Sequence, residues 1–336
     1  MMKAMVLEAY GAVENGTLRL KDVPIPEPSE GQVLIRVVAC GVCHTDIHVI
    51  EKELEPRRLP IIPGHQVTGV VERVGNGVER VRVGDKVGVT WINSTCGVCE
   101  FCTSGRENLC DDMHFTGYDH DGGFAEYVTA SEKFTFKMPE GFDYIHAAPL
   151  FCAGIIGYRA LKLSGVQKGQ TLSIFGFGAS GHIIAQIARH MGIRTVVFTR
   201  GIEHQKLAME LGAEWAGDAS DKPPLMADAS IITAPSGALV VDSLRNMKKG
   251  GRIAIEDIYM TPIPEIDYNK YLYNERWIGS VANYTRADAE EFLGIAAKTP
   301  ISTRVSEFGL QDANSALKRV KEGSLNGAGV LRIGKE

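Results

Sequence analysis

The chain has 336 residues, enough for two domains of ordinary size. Its content of 44% hydrophobic and 23% charged residues is typical of a globular protein. The net charge of −5 argues against a nucleic-acid-binding protein, and no apolar run approaches the roughly 20 residues of a membrane-spanning helix. Because the N-terminus also lacks the features of a signal peptide, we expect a cytoplasmic protein without nucleic-acid or membrane partners.

The first 150 residues are predicted to be mostly β-structure. Residues 32–39 and 67–74 are β-branched runs, and glycine-containing turns at 75–77 and 83–87 follow them. Many short strands separated by such turns indicate a compact, barrel-like domain.

Four cysteines within this first part form a specific metal-binding pattern. Cys96, Cys99, Cys102 and Cys110 have the spacing C-x2-C-x2-C-x7-C. Four thiolates on a short loop can close a tetrahedral shell around zinc and leave no position open for substrate, which predicts a structural zinc. The alternatives are unrelated free thiols or an iron–sulfur cluster, but the last spacing is long and no proline follows the fourth cysteine.

Strands and helices alternate after Pro149. The predicted strands lie at residues 171–175, 195–199, 229–234, 252–255 and 277–281. Apolar residues at helical spacing follow the first of these strands, and residues 203–211 form the next predicted helix. This alternation predicts an α/β fold with a doubly wound parallel sheet, and we expect the tail from about 283 to return to the first domain.

A glycine motif follows the strand at 171–175 and opens a helix, which is the context of a dinucleotide-binding turn. Gly176 permits the tight turn, Gly178 lets the backbone approach pyrophosphate, and Gly181 lets the helix pack closely on the strand. The alternative is a tight strand–helix turn without a ligand.

The end of the second strand of this unit points to NADP as the coenzyme. NAD sites normally have an acidic residue there, whereas this chain has Thr199 and Arg200. A hydroxyl and a guanidinium suit a 2′-phosphate better than a free hydroxyl. The alternative is that Arg200 points to solvent and NAD is used, with Glu203 as a late substitute for the acid.

Several motifs occur together in one order along the chain: CGVCHTDIH at 40–48, PGH at 63–65, the cysteine loop, GYDHDGGFAEY at 117–127, APLFCAG at 148–154 and VANYTRAD at 281–288. They resemble the zinc-dependent medium-chain alcohol dehydrogenases, and more narrowly the bacterial propanol-preferring branch, over essentially the whole chain. The resemblance implies a mostly-β, GroES-like catalytic domain at 1–153 and 283–336 and a Rossmann coenzyme domain at 154–282.

Cys43, His65 and Cys152 are candidates for a second zinc, because two cysteines and one histidine leave a fourth position exchangeable. Sequence distance alone does not pair them, since a lone turn histidine or buried cysteine is ordinary. The resemblance assigns them to a catalytic zinc, which gives two zinc ions per chain. Zinc is a Lewis acid that eases deprotonation of an alcohol, so that hydride can pass to the nicotinamide.

Thr45 and His48 match the family's proton relay, in which a hydroxyl contacts the alcohol oxygen and an imidazole exchanges with solvent. Asp46 is expected to hydrogen-bond His65 and fix its tautomer. The alternatives are helix capping for Thr45 and Asp46 and a structural surface role for His48. The family usually has glutamate after the ligand histidine, whereas this chain has Gln66, which leaves the zinc without that negative charge.

Trp91 resembles the aromatic residue that narrows the pocket of enzymes for small primary alcohols, with ordinary core packing as the alternative. The resemblance implies reversible hydride transfer between a small aliphatic or benzylic primary alcohol, or its aldehyde, and NAD(P), in a homodimer or tetramer. Alternatives are a polyol or sugar dehydrogenase, whose members often have glutamate where this chain has Cys152, and the quinone reductase branch, which lacks both metal sets. A catalytically silent zinc- and nucleotide-binding protein is disfavoured by the presence of Thr45 and His48.

Overall fold

A computed structural model of the chain describes residues 1–335, which form two compact units. Unit 1 comprises Met1–Cys152, Thr285–Lys298 and the residues from Thr303 onward, and unit 2 comprises Ala153–Tyr284 and Thr299–Ser302. The short return of the chain to unit 2 is held by Gln186, whose side chain bonds the backbone N–H and C=O of Ser302 at 2.8 and 3.2 Å.

The strands in chain order are β1 (Met2–Leu7), β2 (Leu18–Val23), β3 (Gln32–Val42), β4 (Gln66–Val74), β5 (Lys86–Val89), β6 (Ile92–Ser94), β7 (His114–Phe115), β8 (Tyr127–Ser131), β9 (Thr135–Lys137), β10 (Thr171–Phe175), β11 (Arg194–Phe198), β12 (Trp215–Gly217), β13 (Ala227–Ile232), β14 (Met247–Ile255), β15 (Trp277–Ser280), β16 (Val305–Gly309) and β17 (Ala328–Arg332). The α-helices are α1 (His44–Ile50), α2 (Glu100–Thr103), α3 (Tyr144–Ala147), α4 (Ala153–Ser164), α5 (Ala179–His190), α6 (Ile202–Glu210), α7 (Ala238–Arg245), α8 (Arg286–Ala296) and α9 (Ala313–Lys321).

Unit 1 is built around β3, the longest strand of its sheet. The strand order is β16-β17-β3-β4-β5-β9, and β8 also pairs with β3. Because β3 has neighbours on both edges and apolar residues such as Val33, Ile35 and Val37 pointing into the interior, it is buried along almost its whole length. The central strand therefore fixes the position of the residues that follow it.

The pairing of β3 with β4 and a 3₁₀-helix packed on β5 bring distant parts of the sequence together at one end of this sheet. β3 and β4 are antiparallel, and Gly41 near the end of β3 pairs with Gln66 at the start of β4. A 3₁₀-helix at Ala148–Phe151 packs on β5, where a Cβ on Gly88 would lie 2.3 Å from the ring of Phe151. The glycine thus lets this helix approach the sheet and bring the next residue, Cys152, towards the ends of β3 and β4.

Unit 2 contains the predicted doubly wound sheet. Its strand order is β12-β11-β10-β13-β14-β15, with parallel pairing throughout this path. The ring of Phe175 in β10 stacks on that of Phe198 in β11 at 4.3 Å, within a buried apolar cluster. The chain adds strands in one direction from β10 and in the opposite direction from β13, so the strand order reverses between these two strands. The turn after β10 therefore lies where doubly wound sheets bind ligands. The predicted fold class is confirmed.

None of the helices in residues 1–335 has both the length and the apolar character that a membrane crossing requires.

Candidate active site and metal centres

The three residues proposed from the sequence for an open metal site come together in unit 1. Cys43 follows β3 and His65 precedes β4, so the antiparallel register places them side by side, and the 3₁₀-helix brings in Cys152. One ligand atom from each of the three lies within 4.8 Å of the other two. Residues 109 positions apart in the sequence therefore share one small cluster.

The buried ring of His65 is held as a metal ligand requires. Its Nδ1 lies 3.2 Å from Asp46 Oδ1, which accepts a hydrogen bond and leaves Nε2 with a free lone pair. Nε2 is buried and finds no hydrogen-bond partner within residues 1–335. A buried acceptor without a partner is costly, and a metal ion coordinated by this atom removes that cost.

The charges around His65 favour a cation in front of the ring. Burial opposes protonation, but the Asp46 carboxylate and then the Cys43 sulfur raise the pKa of His65 to about 10. Contact with the Cys152 side chain, and then with His65, lowers the pKa of Cys43 well below its usual value, against the effect of burial. A carboxylate behind the ring and a thiolate before it are the surroundings of a bound divalent cation.

Asp46 supports both chain segments at once. Its Oδ2 accepts from the backbone N–H of Cys43 at 2.9 Å and caps α1, while Oδ1 accepts from the backbone N–H of Gly64 at 3.1 Å. Capping and support of His65 were alternative interpretations of the sequence, but one carboxylate does both. Thr45 lies in the same first turn, with Oγ1 3.6 Å from Cys43 Sγ.

His48 lies on α1 and its side chain is buried. Its Nδ1 is 2.5 Å from Glu53 Oε2. The interpretation of His48 as a surface histidine is therefore wrong. Glu53 was missed by the sequence analysis, because only the fold of the following loop brings it back over α1.

Trp91 belongs to an aromatic cluster beside His65. Its ring meets the imidazole edge-on with centroids 5.0 Å apart, and it stacks on Phe115 at 4.8 Å and on Tyr118 at 5.8 Å. The packing of Trp91 on neighbouring rings agrees with the core interpretation, and its contact with His65 places it beside the candidate metal site. Its role in narrowing a substrate pocket stays a prediction. Phe115 gave no signal in the sequence, since an isolated aromatic residue in a β-rich segment is an ordinary core candidate. Tyr118 lies in the motif at 117–127, but the sequence analysis assigned it no role.

Gln66, the departure from the family pattern, is buried at the start of β4. Its side chain packs so closely on Gly41 that a Cβ on the glycine would lie 2.8 Å from Gln66 Oε1. This oxygen is without a hydrogen-bond partner in the part of the chain that the structure describes. An ionised carboxylate in such a place would be far more costly than the neutral amide.

The cysteine loop of unit 1 gathers its four sulfurs as the spacing predicts, with all four within 4.8 Å of one another. Zinc at about 2.3 Å from each sulfur in a tetrahedron holds sulfurs about 3.8 Å apart. Cys96 Sγ lies 3.9 Å from Cys102 Sγ and 3.5 Å from Cys110 Sγ. Backbone N–H groups donate to these sulfurs, and such bonds at Val98 and Cys99 lower the pKa of Cys96 to about 7. The donor set fits zinc.

The geometry of the predicted coenzyme-binding turn in unit 2 accounts for each glycine of the motif. Gly176 has φ +104°, a conformation that favours glycine, and a Cβ on Gly181 would lie 2.4 Å from the Gly176 carbonyl oxygen. A Cβ on Gly178 would meet nothing within 4 Å, so the space above this residue is open for a ligand. Gly178 precedes α5, whose N-terminus favours phosphate.

The second strand, β11, ends before Thr199 and Arg200, and the Arg200 side chain is exposed. The acid considered as a substitute for an NAD ligand, Glu203, forms an ion pair with Lys206 at 2.9 Å. Side chains of α6 contact both the glycine turn after β10 and the turn after β11. His204 Nδ1 lies 3.2 Å from the carbonyl oxygen of Phe177, and Gln205 donates to the carbonyl oxygen of Thr199 at 3.1 Å.

Comparisons with known proteins agree with this arrangement. The family model for the alcohol dehydrogenase GroES-like domain matches residues 29–140. A probable alcohol dehydrogenase of Mycobacterium tuberculosis is 42% identical over 99% of this chain and 97% of that protein. An alcohol dehydrogenase of Geobacillus stearothermophilus is 36% identical over 99% of this chain and 100% of that protein. The solved structure of the Aeropyrum pernix alcohol dehydrogenase matches with a TM-score of 0.87 and 29% identity, over 98% of this chain and 99% of that one.

We predict that Asp46→Asn weakens zinc binding at the Cys43–His65–Cys152 site by about 10- to 100-fold, because the neutral amide no longer fixes the ring and adds no charge. Zinc retained per chain at increasing chelator concentration measures the effect. Asp143→Asn is the matched control, since Asp143 also caps a helix and bonds a histidine, His146, at 2.8 Å. Equal zinc loss in both variants would contradict the prediction.

The four-cysteine loop is predicted to hold one zinc ion per chain. Cys102→Ser should remove one zinc per chain and lower the unfolding temperature by about 10 °C, because the loop loses the ion that closes it. Metal analysis and thermal unfolding measure these effects. Cys40→Ala removes a buried thiol outside both clusters and should keep two zinc ions. Full zinc content in Cys102→Ser would show that this loop is not a metal site.

Proposed function

This chain belongs to the zinc-type medium-chain alcohol dehydrogenase family and is an NAD(P)-dependent alcohol dehydrogenase, and on that premise we propose its catalytic zinc, coenzyme and substrate class. The proposed reaction is reversible hydride transfer between a small primary aliphatic or benzylic alcohol and NADP. The buried Nε2 of His65, without a partner in residues 1–335 and beside two cysteine sulfurs, carries this proposal. We assign the catalytic role to unit 1 and coenzyme binding to unit 2, and we propose that the protein forms a homodimer or a tetramer.

The residues present fit zinc at both clusters. Cys43, His65 and Cys152 would hold a catalytic ion with one exchangeable position, and the four-cysteine loop would hold a structural ion. When bound, the catalytic zinc supplies Lewis acidity that lowers the pKa of the alcohol, and the nicotinamide accepts the hydride. Asp46 orients His65, and its hydrogen bond makes the imidazole a stronger ligand.

The proton of the alcohol is assigned to Thr45 and then to His48. Thr45 lies in the first turn of α1 beside Cys43, so its hydroxyl is close to the proposed ligand cluster. His48 lies three residues further along the same helix, on the same side as Thr45. A hydroxyl can accept one proton while it donates another, so Thr45 can pass a proton to the His48 imidazole without itself becoming charged.

The proposed substrate class follows from Trp91. Its ring, backed by Phe115 and Tyr118, gives one wall beside His65 an apolar character. The phenol of Tyr118 is engaged with the backbone carbonyl of Glu55, which leaves this wall with few groups for additional substrate hydroxyls. Short aliphatic or benzylic alcohols suit such a wall better than polyols do.

NADP is the proposed coenzyme because of the charges after β11. The exposed guanidinium of Arg200 and the hydroxyl of Thr199 follow the strand, and Gly201, with φ +86°, adds no side chain there. A 2′-phosphate gains charge-assisted hydrogen bonds in these surroundings, whereas the 2′-hydroxyl of NAD finds no acid at residues 199–201.

The proposed function predicts that Cys152→Ser loses one zinc per chain and at least about 10³-fold in kcat/KM for benzyl alcohol, since a hydroxyl is a poor zinc ligand. Zinc-replete wild type and Cys40→Ala should both be active and bind two zinc ions. An inactive wild type with two bound zinc ions would refute the proposed activity and favour a silent binding protein.

Coenzyme preference is tested by kcat/KM for NADP and NAD with 1-propanol. Wild type should prefer NADP, and Arg200→Gln should lose about tenfold or more with NADP but little with NAD, because one charge-assisted contact is removed. Lys206→Gln removes the same charge from α6 as a control, since its ammonium is paired with Glu203. A wild-type preference for NAD would refute the assignment.

A further inference from the structure

The proton acceptor His48 is nearly enclosed, with 6% of its side chain exposed, whereas the side chain bonded to it is accessible. Glu53 Oε2 lies 2.5 Å from His48 Nδ1, and 33% of the Glu53 side chain is exposed. One end of this carboxylate thus contacts the buried ring while the side chain reaches water. A proton that arrives at His48 has this group as a direct neighbour.

The backbone holds Glu53 in place independently of its side chain. α1 ends at Ile50, and Lys52 adopts φ +61°, an uncommon conformation for a residue other than glycine. The chain therefore turns back, and the backbone N–H groups of Glu53 and Leu54 both donate to the His48 carbonyl oxygen, at 2.9 and 3.4 Å. Backbone and side chain of Glu53 are both fastened to the same histidine.

The neighbouring acids are not equivalent to Glu53. Glu51 caps the end of α1, bonds the backbone N–H of Val13 at 2.9 Å and pairs with Lys321 at 2.7 Å. His44 also lies near the His48 ring, with ring centroids 6.4 Å apart. Of these groups, Glu53 is the carboxylate in hydrogen-bond contact with the ring.

We propose that Glu53 is a positioning residue of the alcohol dehydrogenase reaction, which fixes the tautomer of His48 and passes the relay proton to water. This inference rests on the proposed function, in which Thr45 and His48 carry the alcohol proton. The Glu53 carboxylate keeps the hydrogen on Nδ1, so Nε2 presents its lone pair to the relay.

The proton balance is closed without any further reactant. In alcohol oxidation the substrate hydroxyl gives its proton to Thr45 Oγ1 as the Thr45 hydroxyl gives its own to His48 Nε2. The N–H bond at Nδ1 breaks as an O–H bond forms on Glu53, and the imidazole is neutral again. The exposed carboxyl group then releases the proton to water or buffer. The ring is left with its hydrogen on Nε2, and before the next turnover Nε2 gives that proton to water while Nδ1 takes one back through Glu53, which restores the starting tautomer. The same steps in reverse serve aldehyde reduction.

Two variants distinguish the effect of Glu53 on the His48 tautomer from its role in proton transfer. Glu53→Gln keeps an oxygen that can accept from Nδ1–H but cannot take the proton, whereas Glu53→Ala removes both functions. In a single turnover with NADP and benzyl alcohol, proton release followed with an indicator dye should slow about tenfold in Glu53→Gln and more in Glu53→Ala. Glu53→Asp or added formate should restore part of the rate, and the alcohol KM should stay near the wild-type value.

Glu51→Gln removes the same charge two residues before Glu53, from a carboxylate that pairs with Lys321 and not with His48, and should release protons at the wild-type rate. Equal zinc content and unfolding temperature show that each variant is folded. Wild-type proton release in Glu53→Gln would overturn the proposal. A slow rate that neither aspartate nor formate improves would overturn it as well, because it would indicate a purely structural role.

A measurement without turnover tests the same contact. ¹⁵N chemical shifts of the histidine rings should show the Nδ1–H tautomer for His48 in wild type and Glu53→Gln, and its loss in Glu53→Ala. An Nε2–H tautomer in the wild type would overturn the proposal. If the zinc-replete protein does not oxidise alcohols, the proposed function fails, and this result remains a separate test of the Glu53–His48 contact.

Discussion

The Asp46 carboxylate is the point on which the open site of unit 1 depends. The antiparallel register of β3 and β4 brings the end of one strand to the start of the other, but strand pairing alone does not orient a side chain. Asp46 bonds the backbone before α1, the backbone of Gly64 and the ring of His65, so one buried group holds two proposed ligands at a fixed separation. Its burial is tolerated because each oxygen has donors. Removing its charge therefore disturbs the helix start and the histidine together.

The two proposed metal clusters differ in how much of each can be predicted from the sequence. The four cysteines lie on one loop, so their spacing alone predicts a closed zinc shell, and the sulfurs do gather. The open cluster is non-local, because Cys43, His65 and Cys152 meet only through strand register and the close approach of the 3₁₀-helix at Gly88. No spacing rule contains that information, and the resemblance to a family was needed to group them. The doubly wound sheet was predictable for the opposite reason, since each element shows its own periodicity.

What the sequence analysis missed lies where a side chain has two roles or where a loop turns back. Asp46 was weighed as a cap or as a partner of His65, although its two oxygens allow both. Trp91 was weighed as core or pocket, although a ring of its size can pack on Phe115 with one face and meet His65 with its edge. For His48 a structural surface role was the alternative to the relay, but tertiary packing buries this side chain. Glu53 needed the left-handed turn at Lys52, which no residue preference announces.

Burial of the relay follows from two opposed demands of hydride chemistry. Hydride transfer benefits from a site that excludes water, because electrostatic effects are stronger there and side reactions are avoided. Each oxidised alcohol nevertheless leaves a proton that must reach water. In the proposed relay, exposure increases towards the surface, because the His48 side chain is 6% exposed and that of Glu53 is 33% exposed. An exposed histidine would open the site to water, whereas a buried histidine needs a neighbouring group through which its proton can reach water. The turn at Lys52, although it lies outside the cluster of proposed metal ligands, therefore holds the carboxylate on which the proposed proton exit depends.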